Sequence, residues 1–337
     1  MTTPPSAPTP ADLDALAPQA LPSYRRLRYD GDGMGVALAR FAPADRELLA
    51  RLYAALGELL ALLRDGEARP AETIAALPAR CAELEWDKLL RRVRDLAPPQ
   101  DGGGTRLRQV LHDLKGGALQ ALAVYLQLAA HGLVGPAQLH RMFFLARDQL
   151  KIMRNCVADL DPAGAARDGA HRLHSVALLE EKWSAGEHRL GGGQARVVVH
   201  SEFAGDIAER CLEFAALDRV LYNLINNATR HSADGRVDLW IRPVGPGPAS
   251  LRFVVANAVT PEQRRAVEAR FPGGPGGLFE GGFTTGGAGL GMRICADFVC
   301  NAYGVPGVAQ ALAEGHLGAA FLAGRFVAWV HWPVAGD

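Results

Sequence analysis

The sequence is poor in cysteine. Its five, at positions 81, 156, 211, 295 and 300, include no CxxC pair. Set inside apolar patterns, they read as reduced core thiols of a cytosolic protein. They form no zinc-ligand constellation with the histidines at 131, 140, 171, 174, 188, 200, 316 and 331. No apolar run approaches the ~18 residues that span a bilayer, which argues against membrane insertion. Met1–Pro10 lacks the charged and apolar regions of a signal peptide and reads as a disordered tail. Net charge is also missing: 36 Lys and Arg balance 36 Asp and Glu, so nothing points to bulk nucleic-acid or anionic-membrane binding. The Rossmann glycine fingerprint is absent as well.

What is present suffices for two or three folded domains: 337 residues, 49% hydrophobic. Residues 35–62 and 70–96 carry helical spacing without a recognisable catalytic pattern, and residues 11–103 form an N-terminal helical region of unknown role. The breaker-rich Pro98–Gly104 segment marks a boundary. Beyond it Leu107, Leu111, Leu114, Ala118, Leu122 and Tyr125 step by threes and fours, the spacing of a buried seam. After a break at Gly132–Pro136, a second helix to about Leu160 places Leu139, Met142, Phe143, Ala146, Leu150 and Met153 on its apolar side. One helical hairpin is thin, and two pack as a four-helix bundle, so residues 104–161 predict a homodimer. Residues 161–171 read as a linker. Strand and helix patterns then interleave over 172–337: strands at 196–203, 236–244, 251–257 and within 321–332, and helices at 215–231 and from 292 to about 302.

Three segments carry chemistry. In Leu217–His231, Asn223 and Asn227 lie four apart on one helix face, and Arg230 continues that face. A row of amides on an otherwise core-like helix requires polar partners, because unpaired buried amides cost a few kcal/mol. A metal-bound triphosphate would supply them; a solvent-facing polar stripe is the plainer alternative. In Gly277–Met292, glycines 287, 289 and 291 directly precede a helix, a junction that offers backbone N–H groups and a positive dipole end to an anion. In Leu111–Leu119, His112 falls just off the seam beside Asp113. His231 either reaches phosphate or stabilises its helix terminus. Trp183, Trp240, Trp329 and Trp332 read as packing residues.

Together these segments resemble the two-component sensor histidine kinases, whose ATP-binding domain shares its fold with gyrase, Hsp90-type chaperones and MutL. The asparagine helix resembles that family's N box, Leu278-Phe279-Glu280 through Thr285 its F box, Gly287–Gly291 its second glycine box, and the His112 segment its H box. The resemblance implies an α+β chain: a helical region, a dimeric histidine-bearing hairpin, and an α/β-sandwich ATP-binding domain of the Bergerat type. It implies a protein-histidine kinase of the cytoplasm that transfers the γ-phosphoryl group of Mg-ATP to His112 and onward to an Asp of a response-regulator receiver domain. Asn227 would bind Mg²⁺, Asn223 would support the phosphates, and Arg230 would replace the family's phosphate-contacting lysine. Asn257, Thr285, Gly287, Gly289, Leu290 and Gly291 would complete the nucleotide site, under an ATP lid over 259–286. Asp113 would orient His112 and accept its second ring proton.

Two departures stand out. The first glycine box has Asn257 where the family has Asp, with Val259 and Pro261 near its glycine positions. Gly116 and Gly117 replace the usual Thr or Asn and the Pro after the H box, which implies weak phosphatase activity and a soft point for bending. A rival reading is therefore a phosphorelay histidine phosphotransferase with a degenerate ATP site.

Overall fold

The computed structural model describes residues 8–16, 21, 29, 31, 34–66, 68–97, 104–184, 187–190, 193–245, 250–283 and 290–334. The chain divides into two compact units: a helical unit, residues 32–168, and a sheet unit, residues 169–337 with residues 1–31.

The chain's first helix, α1 (Pro10–Ala15), belongs to the sheet unit. The helical unit begins with β1 (Val36–Ala37) and continues through α2 (Pro43–Asp65), α3 (Pro70–Glu83), α4 (Trp86–Asp95), α5 (Thr105–Leu114), α6 (Gly117–Ala130), α7 (Pro136–Cys156), β2 (Val157–Ala158) and α8 (Pro162–Gly169). The expected helix over 70–96 is two helices, because Glu85 takes the left-handed conformation between them. The expected boundary at Pro98–Gly104 lies, but for Gly104, outside the described residues. Helices on both sides of it share one hydrophobic core.

That core alters the picture of the hairpin. Of the seam residues named above, all except Phe143 are buried within the single chain. The cover comes from α2, which packs against α7, and from α3, which packs against α6. Leu48, Leu49, Leu52, Leu56, Leu59 and Leu63 of α2 are buried at helical spacing, each worth roughly 1.5–3 kcal/mol on full burial. The hairpin thus has cover within its own chain, where the sequence suggested none.

The expected continuous helix from 107 to 125 breaks at Lys115–Gly116. Gly116 leaves the helix at ψ −171°, and a Cβ there would come within 3.0 Å of the His112 carbonyl oxygen. The α5 side of the break is pinned by side chains. Gln149 Nε2 of α7 donates to Leu114 O (3.0 Å), an orphan carbonyl at the end of α5. Lys115 Nζ donates to the carbonyls of Arg94 (2.7 Å) and Leu96, closing the end of α4. The expected linker over 161–171 is largely α8, started by Asp161, whose carboxylate accepts from Gly164 N (2.8 Å).

The sheet unit continues with β3 (His171–Ser175), α9 (Ala177–Ser184), β4 (Glu187–Leu190), β5 (Gly193–Ser201), β6 (Asp206–Arg210), α10 (Cys211–His231), β7 (Arg236–Val244), β8 (Ser250–Ala258), α11 (Pro261–Arg270), α12 (Gly291–Tyr303), α13 (Val308–Ala313), β9 (Leu317–Leu322) and β10 (Arg325–Pro333). Six strands form a mixed sheet in the order β4-β5-β7-β8-β10-β9, antiparallel except for the β5–β7 pair. Helices α10 and α12 pack on one face.

The opposite face is also covered. Leu13 of α1 is 1% exposed among Trp240, Val254, Ala256, Val327 and Trp329. Arg252 donates to Leu13 O (2.7 Å), and Arg242 pairs with Asp14 (2.8 Å). Thr9 and Pro10, expected in a tail, instead cap and begin this helix through a reciprocal Thr9–Asp12 box; residues 1–7 lie outside the described residues. With both faces buried, β8 has no exposed residue, and Trp183, Trp240, Trp329 and Trp332 are all core residues as expected.

Replacing Gln149 by alanine should leave the Leu114 carbonyl unsatisfied and lower stability by about 1–3 kcal/mol. Urea unfolding followed by helical circular dichroism measures this; an unchanged midpoint would mean that the bond contributes nothing. A second expectation concerns His331, whose Nε2 faces Arg252 Nε at 2.9 Å in the core. Burial, reinforced by Arg252, pushes its imidazole down to about 3. The unfolded state protonates first, so stability is complete above the ordinary His value of about 6.5 and falls as pH drops toward 3. The slope is at most about 1.4 kcal/mol per pH unit. Urea midpoints of wild type and His331→Gln should therefore converge or cross between about pH 7 and pH 5, whereas parallel profiles would contradict the assignment.

Candidate functional site

In the helical unit, His112 sits near the end of α5, three residues before the break, with its side chain 30% exposed. Its Nδ1 lies 3.3 Å from Oδ1 of Asp113, whose side chain is 7% exposed. His112 is thus half-buried rather than fully outward as expected from the seam, and Asp113 lies against its ring. A carboxylate at Nδ1 fixes the ring tautomer with the proton on that side.

In the sheet unit, α10 is held on the sheet by Val220, Leu221, Leu224 and Ile225, all buried. Asn223 and Asn227 are half-buried on the helix flank, and Arg230 is exposed. The start of α12 meets this amide row. A Cβ built on Gly291 would stand 3.7 Å from Asn227 Nδ2 and 3.8 Å from Asn223 Oδ1. Glycine there leaves space between the N-terminus of α12 and the amides, with Leu290 as the residue before the helix. His231, at the end of α10, has its imidazole lowered by burial and by Arg230, so it adds little positive charge at neutral pH.

Three contacts that hold the amide row in place have no periodic sequence signature. Lys182 of α9 grips both carboxylate oxygens of Asp218 (2.8 and 2.7 Å). The Arg219 guanidinium lies 5.0 Å from the centre of the Phe298 ring and ties α10 to α12. Cys295 Sγ donates to Val220 O at 3.5 Å, and burial drives its thiol well above the ordinary range. Only the positions of Asp218 and Arg219, flanking the N-box-like asparagines, hinted at this.

Asn257 is 1% exposed in the middle of the sheet, paired with Val237 of β7 and Phe326 of β10, on the same face as Phe253 and Val255. Its Nδ2 donates to Ala258 O (3.1 Å). Beyond it, where the resemblance places glycines and a lid, α11 begins. Thr260 caps it, Pro261 is its first residue, and Gln263 closes a reciprocal capping box. The segment Pro275–Glu280 is a 3₁₀ turn with Phe279 fully buried. The candidate residues Thr285, Gly287 and Gly289 lie outside the described residues.

The residues present fit a magnesium nucleotide. Amide oxygens are hard donors suited to Mg²⁺, and a helix N-terminus with an open glycine suits phosphate. Among the described residues no cluster of His, Cys, Asp and Glu offers a competing metal site.

Residues 214–325 match the family described as histidine kinase-, DNA gyrase B-, and HSP90-like ATPase. Solved structures similar to the chain include a mycobacterial sensor histidine kinase, MprB (18% identity, 42% of this chain and 84% of that one, TM-score 0.28). Others are the Acinetobacter baumannii histidine kinase AdeS (14%, 67% and 98%, 0.27) and the histidine kinase domain of an Erythrobacter litoralis blue-light activated histidine kinase (17%, 68% and 91%, 0.32). A search of curated proteins found no match. No helix among the described residues is long and apolar enough to cross a membrane.

Gly291→Val should fill the space beside Asn223 and Asn227. It should weaken binding of a fluorescent ATP analogue at least ~10-fold while far-ultraviolet circular dichroism stays native. Unchanged affinity would place the phosphates elsewhere. The match over residues 214–325, from α10 to β10, makes this part of the sheet unit similar to the histidine kinase-, DNA gyrase B- and HSP90-like ATPases.

Proposed function

We propose that this chain is a protein-histidine kinase that phosphorylates His112 from Mg-ATP and passes the phosphoryl group to an aspartate of a response-regulator receiver domain. The observation that carries the reading is the amide row of Asn223 and Asn227 against the open N-terminus of α12, in a domain of the matching ATPase family. Asn227 and Asn223 would hold Mg²⁺ and the phosphates, with Arg230 and the α12 N-terminus neutralising charge. Bound Mg²⁺ would supply charge neutralisation on the phosphates. The Oδ1 atom of Asn257 would accept from the adenine amino group, a neutral bond in place of a charge-assisted one. At His112, the Nε2 lone pair would attack the γ-phosphorus. The bond to the β,γ-bridging oxygen breaks, ADP leaves, and the Nδ1 proton passes toward Asp113.

The second reading, a relay module without ATP turnover, is favoured by the first glycine box. Helix α11 starts at Pro261, and the residue at the adenine position is a neutral amide.

Incubating the protein with γ-labelled ATP and Mg²⁺ should give acid-labile, base-stable label that is lost in His112→Ala and in Asn227→Ala. An Asp113→Asn variant should retain label at a rate reduced ~10²-fold or more. No label at millimolar ATP, combined with label transfer from a phosphorylated receiver domain to His112, would replace the kinase reading with the relay one.

A further inference from the structure

The second face of the sheet is built like a groove. Across three adjacent strands, Trp240 of β7 stands beside Val254 of β8, and Val254 beside Trp329 of β10. Two residues along, the next row on this face sets Arg242 beside Arg252 and Arg252 beside His331. An apolar floor with an indole at each end is thus bordered by two guanidinium groups. Leu13 of α1 fills the floor, Arg252 holds its carbonyl, and Arg242 pairs with the neighbouring Asp14. We propose that this face is a docking groove for a short acidic helix with one inserted leucine, that α1 is its tethered occupant, and that a partner protein's helix of the same chemistry takes the place of α1. None of this depends on the kinase reading.

Three observations give α1 the character of a ligand. It is six residues long, too short to hold as a helix in water without packing. Leu13 is its one buried side chain among the described residues, while Ala11, Asp14 and Ala15 are exposed. Its charge also complements the groove: Asp12 and Asp14 are acidic and it carries no base, whereas the border is Arg242 and Arg252. Finally, the groove offers more than α1 uses. The Trp329 ring lies over Gly318 of β9, where a Cβ would collide with it. Its Nε1–H is buried with no acceptor among the described residues. A helix that brings a carbonyl or carboxylate to that point would satisfy it.

Exchange is favoured over simple opening. Release of α1 alone would bare Trp240 and Trp329 and take the Leu13 carbonyl from Arg252, which is 2% exposed. A replacing helix of the same chemistry restores both. The tether sets the threshold, because a linked segment acts at an effective concentration of about 1 mM. A partner must therefore exceed α1 through contacts of its own, and the Trp329 N–H is one that α1 leaves open.

The probe is a peptide of residues 8–16 with an N-terminal trifluoroacetyl group, followed by fluorine NMR. Full-length Leu13→Asp puts a charge on the apolar floor and should release α1. The peptide should bind this variant with Kd at or below ~0.1 mM, the value that keeps a tethered α1 about nine-tenths docked. On the wild-type chain its apparent Kd should rise to about 1 mM, where it matches the tether. The peptide carrying Leu13→Asp should bind neither chain. Equal affinity for both chains would show that α1 does not occupy the groove. No binding to a natively folded Leu13→Asp chain would remove the groove, and no binding to the wild type at ~10 mM would make α1 irreplaceable; either overturns the proposal. Leu13→Ala serves if Leu13→Asp does not fold, and if neither gives a native circular dichroism spectrum, α1 is a fixed part of the core and the proposal fails.

Discussion

The helical unit depends on one packing event, the burial of the leucine face of α2 against α7. The hairpin of α6 and α7 exposes too much apolar surface to stand alone, and α2 removes it from water. Packing supplies the bulk of the free energy, and polar groups choose the register. Tyr53, Arg154, Asp161 and Asp168 form a half-buried network that is satisfied in one arrangement. The break before α6 follows from the same assembly. Gly116 permits the turn, Gln149 takes up the Leu114 carbonyl before it, and Lys115 closes the end of α4. His112 thus stands on the last turn of a short, pinned helix.

The sheet unit solves a different problem. It presents polar amides on a helix whose other side is core. Helix α10 does so by alternation: Val220, Leu221, Leu224 and Ile225 go to the sheet, and Asn223 and Asn227 stay at the flank. The rigidity of that flank comes from Lys182 on Asp218 and Arg219 on Phe298. The second sheet face is closed by Leu13, drawn from the far end of the sequence and fixed by Arg252 and Arg242. Burying a guanidinium under a short helix is tolerable because Arg252 finds both a carbonyl and the neutral His331 as acceptors.

The patterns that make up the candidate site are local ones. The i, i+4 asparagines, the glycine-rich approach to α12 and the His-Asp pair beside a heptad-like seam are local patterns, set by helix period and backbone chemistry. The strands that were predicted fell within a few residues of their bounds for the same reason, whereas the short β1–β4 and β6 had no prediction. The capping box Thr260-Pro261-Glu262-Gln263 was equally readable and signals a helix where the resemblance suggested a lid. Glu85 in the left-handed region gave no such cue.

By itself the sequence determined which faces are apolar, roughly where the longer helices and strands lie, and which side chains are candidates for chemistry. These are consequences of near-neighbour spacing. Only the tertiary structure decided which faces meet. The leucine face of α2 and the seam of the hairpin are each compatible with several partners, including a second copy. Nothing in a helical period names the occupant. Likewise, residues 11–103 read as one helical region until Leu13 is seen against Trp240 and Trp329, more than 200 residues away in the chain. Hydrophobic burial is non-directional, so the choice among partners passes to long-range hydrogen bonds and ion pairs, whose geometry exists only after folding.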